Sequence, residues 1–474
     1  MPRRLVALIL AVVAALAGSA AVSAERPDDA PTPIGERSTV TPLLSARRVP
    51  GLLAAPVADR HLRTALDEVL ATQPGTACLT VAASGRAVYA RDADTTLVPA
   101  SVEKLLTATV ALEVLGPDHR FRTTVAAAAV PVDGVVDGDL WLVGGGDAIL
   151  STATYAARFR NQPQITTSAE ELADAVVAAG IRHVTGSIRG DESRYDTDRY
   201  PDAWPQRFID QDLSGPLSAL TLNDDWASFP PAFDVASPPL TPPDDPVAQA
   251  ATALTELLRA RGVVIDGDAA SGPAPAGAVE LAGVDSAPLT EVLVQMLRES
   301  DNQTAELLLK ELAVASGRPG TTVDGAAVVA AVLHDLGLPI DGLVVSDGSG
   351  LSGDNRQSCT TIQAVLERAG PDSAIADALA LAGVNGTLAQ RFLDSPVTGR
   401  LLAKTGTLNQ VTALAGYLDT QPGARLTFTY IVNLLEPDRV DEPDLAIQDA
   451  LAAALAAYPE GPSLDDLDPL PVPP

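Results

Sequence analysis

Two spacings of apolar residues organise this chain. Over residues 76–89, short apolar runs flank Ser84-Gly85 and predict a β-hairpin. Residues 101–115 are apolar almost throughout, opened by Pro99-Ala100 and stopped by Gly116-Pro117, which predicts a helix starting at Ser101. Strand-like runs occupy 124–190, among them GDLWLVGGGD at 138–147, with a helix predicted at 169–179. After Ser286 the spacing is helical through about Leu336. Strand candidates follow at 400–404, 411–418 and 425–432, and an apolar helix at 445–457 comes last. Close-set strands with a terminal helix predict an antiparallel sheet with helices packed on it, an α/β (α+β) fold.

The two ends of the chain read differently. Arg3 and Arg4 precede a short apolar run, and Val22-Ser23-Ala24 supplies a cleavage site, so residues 1–24 read as a signal peptide and the protein as exported to the extracellular or periplasmic side of the cell envelope. The alternative, a retained signal anchor, needs about 20 spanning residues, more than this run offers. Residues 25–45, rich in Pro and Thr, read as a flexible leader, and the acidic 459–474 as a disordered tail. No later segment reads as membrane-spanning. A net charge of −29 disfavours nucleic acid and anionic lipid as partners. Cys78 and Cys359 can form a disulfide in an oxidising compartment, but their sequence positions do not decide whether they do.

Among 32 basic residues, only Lys104, Lys310 and Lys404 are lysines. Arginine does not give up its proton, whereas a buried lysine does. Two of the three lysines stand in short motifs. Ser101 and Lys104 are three apart and share a helix face, so the amine can reach the hydroxyl and act as its base. That requires a lowered pKa, for which burial and a second cation, Lys404, are the available causes. Ser300-Asp301-Asn302 lies between two helical runs, and Lys404-Thr405-Gly406 ends a strand candidate. Lys310, in ELLLKEL at 306–312, reads as an exposed helix position.

Taken in this order, S-x-x-K, S-D-N and K-T-G are similar to the signature of penicillin-binding proteins and serine β-lactamases. The 199 positions from Ser101 to Ser300 imply an inserted domain. With SALTLND at 218–224, DGSGLSGDN at 347–355 and AGVNGTL at 382–388, the chain resembles the class C low-molecular-mass penicillin-binding D-Ala-D-Ala carboxypeptidases and endopeptidases. The resemblance implies a peptidase domain split over 46–123 and 280–458, with a second domain at 124–279. It implies Ser101 as nucleophile, Lys104 as base, and Ser300 with Lys404 as proton relay. Asn302, Thr405, Gly406 and Thr407 would bind substrate, Asn302 at a backbone amide and the threonines at the terminal carboxylate. The N–H groups of Ser101 and Thr407 would form the oxyanion hole, and Asp301 would be structural. The implied partners are peptidoglycan stem peptides and, as covalent inhibitors, β-lactams, with no cofactor. Gly353 departs from the family, which carries a basic residue there.

Competing patterns are weaker. G-x-G-x-x-G at 348–353 lacks the βαβ surroundings of a dinucleotide site. His61, His119, His183 and His334 have no ligand spacing, so no metal is expected. Asp224-Asp225 and Asp244-Asp245 read as solvated turns. A class A β-lactamase needs a Glu four positions before an Asn, and Ala219 holds that place before Asn223. A catalytically silent wall-binding protein is the remaining alternative, against which the intact motif residues argue.

Overall fold

The computed structural model describes residues 50–159, 161–231, 240–420 and 423–460. The predicted signal peptide and leader, and all but two residues of the predicted tail, lie outside them. Among the described residues, no helix is long and apolar enough to cross a membrane.

The central element is a six-stranded antiparallel sheet ordered Ala380–Leu381, Leu401–Leu408, Val411–Asp419, Arg425–Asn433, Thr76–Ala83, Arg86–Arg91. Side chains on a strand alternate between faces, and here the alternation feeds two cores. Leu79, Leu414, Phe428 and Tyr430 point into one core with Leu62 and Leu66 of helix Pro50–Leu70 and Leu451 of helix Glu442–Ala456. Cys78, Ala413, Ala415 and Ile431 point into the other, which holds the helices Lys104–Val114, Leu289–Arg298, Asn302–Ala315, Thr322–Asp335 and Cys359–Ala369. The predicted three-strand run and last helix are therefore present, each one to three residues longer than the pattern indicates. Cys78 and Cys359 form a disulfide, with Cα atoms 5.9 Å apart, that ties a central strand to helix Cys359–Ala369.

A second, five-stranded mixed sheet orders Ala270–Ser271, Ile188–Asp191, Leu140–Val143, Arg122–Ala127 and Val279–Asp285. Helices Ala169–Ala178 and Pro246–Ala260 enclose a separate apolar core on it, with Leu140, Leu142, Val176, Ile188 and Leu254. Arg122 pairs with Asp285 and Ala127 with Val279, so the strand by which the chain enters this sheet lies beside the strand by which it leaves.

Two sequence expectations fail here. Asp224 and Asp225 are not solvated: Asp225 is buried, and Asp224 accepts a hydrogen bond from the Tyr155 hydroxyl at 2.6 Å. Asn223, Asp224 and Asp225 all hold a left-handed backbone, φ near +55°, which turns these carboxyls inward. Lys310 is not exposed either. Its ammonium donates to the Asp196 carboxylate and, at 3.0 Å, to the Asp198 carbonyl oxygen. Of the other acidic pair, Asp244 is exposed and Asp245 caps helix Pro246–Ala260 by accepting from Val247 N and Ala248 N.

Candidate active site

The three motifs converge on one end of the helical core. Ser101 does not open a regular helix: it sits in a 3-10 turn, Ala100–Glu103, and the α-helix begins at Lys104. Positions i and i+3 eclipse in a 3-10 turn, which brings Lys104 Nζ to 3.1 Å from Ser101 Oγ. Ala100, just before the nucleophile candidate, holds a left-handed φ of +50°, and Ser300 one of +62°. Such conformations cost on the order of 1 kcal/mol or more at non-glycine residues and persist where the surroundings enforce them.

Two close approaches do the enforcing at Ala100. A Cβ on Gly350, itself at φ +85°, would lie 1.9 Å from the Ala100 carbonyl oxygen. A Cβ on Gly406 would lie 2.7 Å from the Pro99 oxygen. Loop 347–355 and strand Leu401–Leu408 thus press on the serine turn from two sides, and only glycine permits the contact.

On that strand the Lys404/Gly406 face meets the serine turn, while Thr405 is half-buried and Thr407 exposed. Thr405 Oγ1 donates to Thr387 Oγ1 at 3.0 Å, bringing the 382–388 motif to the same place. The neighbouring strand Ala380–Leu381 pairs only with Leu402 and Ala403. Beyond them, the outer edge of the strand through Leu408 carries no pairing strand among the described residues, and such an edge can accept an extended peptide.

Lys104 makes three contacts, all with neutral oxygens: Ser101 Oγ, Asn302 Oδ1 at 2.7 Å and the Ser349 carbonyl at 2.7 Å. Lys404 donates to Ser300 Oγ at 2.8 Å and to the Thr405 carbonyl at 2.9 Å. Both lysines are fully buried. Burial pulls Lys104 down to about 8, against the opposing pull of Asp347, Glu306, Asp301 and Glu103. Burial also holds Lys404 well below its ordinary value, with the charge of Lys104 as the second cause. Of the two causes the sequence pointed to, burial and the charge of Lys404, burial is the one that lowers Lys104, and the repulsion between the two ammonium groups is felt at Lys404.

Asp301 caps helix Asn302–Ala315, accepting from Thr304 N at 3.1 Å and Thr304 Oγ1 at 2.8 Å. Asn302 Nδ2 donates to the Leu213 carbonyl at 2.7 Å. Beside this turn lies a cavity of about 440 Å³ whose lining includes Ser300, Asp301, Asn302, Asp224, Gln295 and Phe159. Burial, then the charge of Asp301, pushes Asp224 up to about 7. Gly353 lines a second cavity of about 370 Å³ with Arg207, Phe208, Leu351 and Leu408.

Sequence reasoning missed three members of this cluster. Ser349 and Asp347 lie in a quoted motif but received no role, and Glu306 was passed over as part of an apolar helix. Asp347 accepts from Gly350 N at 2.8 Å, Asn355 Nδ2 at 2.7 Å and Trp204 Nε1 at 2.8 Å, and so folds the loop. The one signal available was a run of small and polar residues bracketed by Asp347 and Asn355. Among the described residues, no group of His, Cys, Asp or Glu is placed to hold a metal ion.

An amine with a lowered proton affinity against a serine hydroxyl, beside an open strand edge, can activate the hydroxyl for attack on a peptide carbonyl. Comparison with known proteins points the same way. The chain matches the model of the D-Ala-D-Ala carboxypeptidase 3 (S13) family over residues 62–232 and 238–458. It is 34% identical over 467 residues to carboxypeptidase DacB of Mycolicibacterium smegmatis, covering 95% of this chain and 94% of that protein. It is 31% identical over 456 residues to the D-alanyl-D-alanine carboxypeptidase of an Actinomadura species, covering 80% and 81%. In fold it resembles penicillin binding protein 4 of Haemophilus influenzae, with a TM-score of 0.70 at 21% identity over 83% of this chain and 99% of that one.

Proposed function

This chain belongs to the D-Ala-D-Ala carboxypeptidase 3 (S13) family, and we propose that it cleaves peptidoglycan stem peptides through an acyl-enzyme on Ser101. It is a serine-type D-Ala-D-Ala carboxypeptidase/endopeptidase of the class C low-molecular-mass penicillin-binding group. The observation that carries the assignment of Ser101 is the environment of Lys104. A neutral amine has two N–H bonds and one lone pair. The Asn302 and Ser349 oxygens, each at 2.7 Å, take the two N–H bonds, and the lone pair is left for the Ser101 hydroxyl.

Acylation then proceeds as follows. Lys104 Nζ takes the proton from Ser101 Oγ as the oxygen attacks the penultimate D-Ala carbonyl. The N–H groups of Ser101 and Thr407 bind the oxyanion that develops. As the C–N bond breaks, Ser300 hands its hydroxyl proton to the leaving amine and is resupplied from the Lys404 ammonium it contacts. The proton held on Lys104 replaces the one Lys404 gave. Water later adds to the acyl carbonyl, one of its protons going to Ser101 Oγ as the ester C–O bond breaks. Thr405 and Thr407 take the terminal carboxylate beside the Lys404 ammonium, and the absent side chain of Gly406 lets the strand approach the serine. Asn302 spends one N–H of Nδ2 on the Leu213 oxygen, and the second N–H is the one a substrate amide oxygen would take.

A penicillin presents a strained amide and a carboxylate in the same arrangement, so it acylates the same serine. Intact mass after incubation with penicillin should show one stable adduct, absent in Ser101→Ala. Rapid consumption of the drug with no adduct would favour a β-lactamase instead. Muropeptide digestion followed by mass analysis separates carboxypeptidase products from endopeptidase products.

The second sheet and its core form an inserted module. First proteolytic cuts within 229–246 or 268–277 support this division, and first cuts inside the motif-bearing helices defeat it. The protein is exported. The charged start, the apolar run and the small-residue cleavage site support this, as does the Cys78–Cys359 disulfide. N-terminal sequencing of secreted protein beginning at Glu25 is the expected result, and an intact Met1 in the secreted fraction would overturn it.

A further inference from the structure

Ser349 has no side-chain role at Lys104; its backbone carbonyl is what touches the amine, and a carbonyl is only as well aimed as the loop that carries it. Two groups outside that loop fix its backbone at this point. The buried Glu306 carboxylate accepts from Gly348 N at 3.1 Å and Ser349 N at 2.8 Å. Thr107 Oγ1, on the nucleophile helix, donates to the Gly348 carbonyl at 2.9 Å. Glu306 stands one helical turn after Asn302, so a single helix face presents both Asn302 Oδ1 and the clamp on Ser349. Both N–H bonds of a neutral Lys104 are thereby referenced to one rigid helix.

We propose that Glu306 is a positioning residue for acylation: by holding the Gly348 and Ser349 N–H groups it fixes the Ser349 carbonyl that takes one Lys104 N–H, and so aims the amine's lone pair at Ser101 Oγ. The inference rests on the assignment of Ser101 as nucleophile and Lys104 as base. Glu306 touches neither substrate nor the reacting atoms, so its removal acts on the rate of bond formation and not on binding.

Glu306 also faces Lys104 as a charge, together with Glu103 on the serine turn, Asp301 at the helix cap, Asp347 in the loop and Lys404 on the strand. An ionised Glu306 favours the ammonium form of Lys104. Burial and the charge of Asp347 push Glu306 itself up to about 8, the range in which Lys104 loses its proton. Replacing it with a neutral amide therefore moves the acid limb of the acylation profile to lower pH.

The test is the acylation of full-length wild type, Glu306→Met, Glu306→Gln and Thr107→Val by a fluorescent penicillin, resolved into reversible binding and the first-order acylation step across pH 5–10. Glu306→Met has no oxygen to hold the Gly348 and Ser349 N–H groups, and its acylation step should fall by roughly 10²-fold, the scale expected of a misplacement near 1 Å, with binding unchanged. Glu306→Gln keeps one oxygen for both N–H groups and removes the charge, so it should restore most of the step and move the acid limb down. Thr107→Val, nearly isosteric and uncharged, should lower the same step by a smaller factor with the limb in place. The proposal is overturned if folded Glu306→Met keeps the wild-type step. If Glu306→Met does not fold, Thr107→Val acylating at the wild-type rate overturns it. Failure of the wild type to acylate would instead strike the Ser101 assignment.

Discussion

The two ends of helix Asn302–Ala315 bury charge in opposite ways. At its C-terminal half, Lys310 meets the Asp196 carboxylate, and Glu311 meets Arg194, with a further hydrogen bond from the Tyr195 hydroxyl at 2.8 Å. At its N-terminal half, Asn302 and Glu306 face Lys104, whose contacts are all neutral oxygens. Burial alone does not distinguish these places, since Lys104, Lys310 and Lys404 are each at most 1% exposed. The partner does. A carboxylate in direct contact fixes the ammonium and turns the lysine into a structural anchor between the 196–198 loop and the helix. Neutral acceptors orient the amine while leaving its proton free to move. One helix is thus both the wall of the site and the anchor of the loop at 194–198.

The largest effect should come from breaking the site end. A guanidinium cannot serve as base, so Lys104→Arg should lose acylation by roughly 10²–10⁴-fold, the usual share of general-base catalysis. Its thermal midpoint should change far less. Normal acylation of this variant by a fluorescent penicillin would end the assignment of Lys104 as base.

The anchor end should respond the other way round. Lys310→Met strips the partner from Asp196, whose side chain is 23% exposed. Breaking a buried pair costs about 3–5 kcal/mol, and partial hydration of Asp196 reduces this to about 2–3. The loss should appear in chemical denaturation, with the acylation rate per folded molecule close to wild type. Lys310→Arg keeps the charge but forces a bulkier fork into a close-packed site, at about 1–3 kcal/mol. If Lys310→Met abolished acylation without loss of stability, the division between anchor and site would collapse.

These contrasts explain what the sequence showed and what it hid. Strands Val411–Asp419 and Arg425–Asn433 were legible because each alternates between two apolar cores, and Ser101 with Lys104 because chemistry demands those residue types at that spacing. Lys310 was misread because ELLLKEL presents polar residues at positions 306, 310 and 311, the stripe of an ordinary exposed face. The stripe is real, but it is covered by Asp196, Asp198 and Arg194 from more than a hundred positions away. Periodicity reports polarity, not what lies opposite. The same blindness hid Ser349, whose contribution is a backbone oxygen, and turned Asp224-Asp225 into an expected surface turn.

The smallest expected effect concerns pH and separates the two kinds of buried charge in an unmodified protein. Burial raises Asp147 to about 6, Asp224 to about 7 and Glu306 to about 8. A carboxyl whose folded pKa lies above its unfolded one stabilises the fold fully below the unfolded value, near 4, and that contribution is lost as pH rises through the folded value. The thermal midpoint should therefore fall from pH 5 to pH 8. Acylation should climb over the upper part of that interval, because Lys104, at about 8, must be neutral to act. Asp224→Asn tests the attribution. The amide keeps an oxygen to accept from the Tyr155 hydroxyl and removes the ionisation, so its midpoint should decline less steeply between pH 5 and 8, with the gain over wild type confined to the alkaline side. A wild-type midpoint that rises over this range, or an Asp224→Asn slope equal to that of wild type, would place the pH sensitivity elsewhere in the molecule.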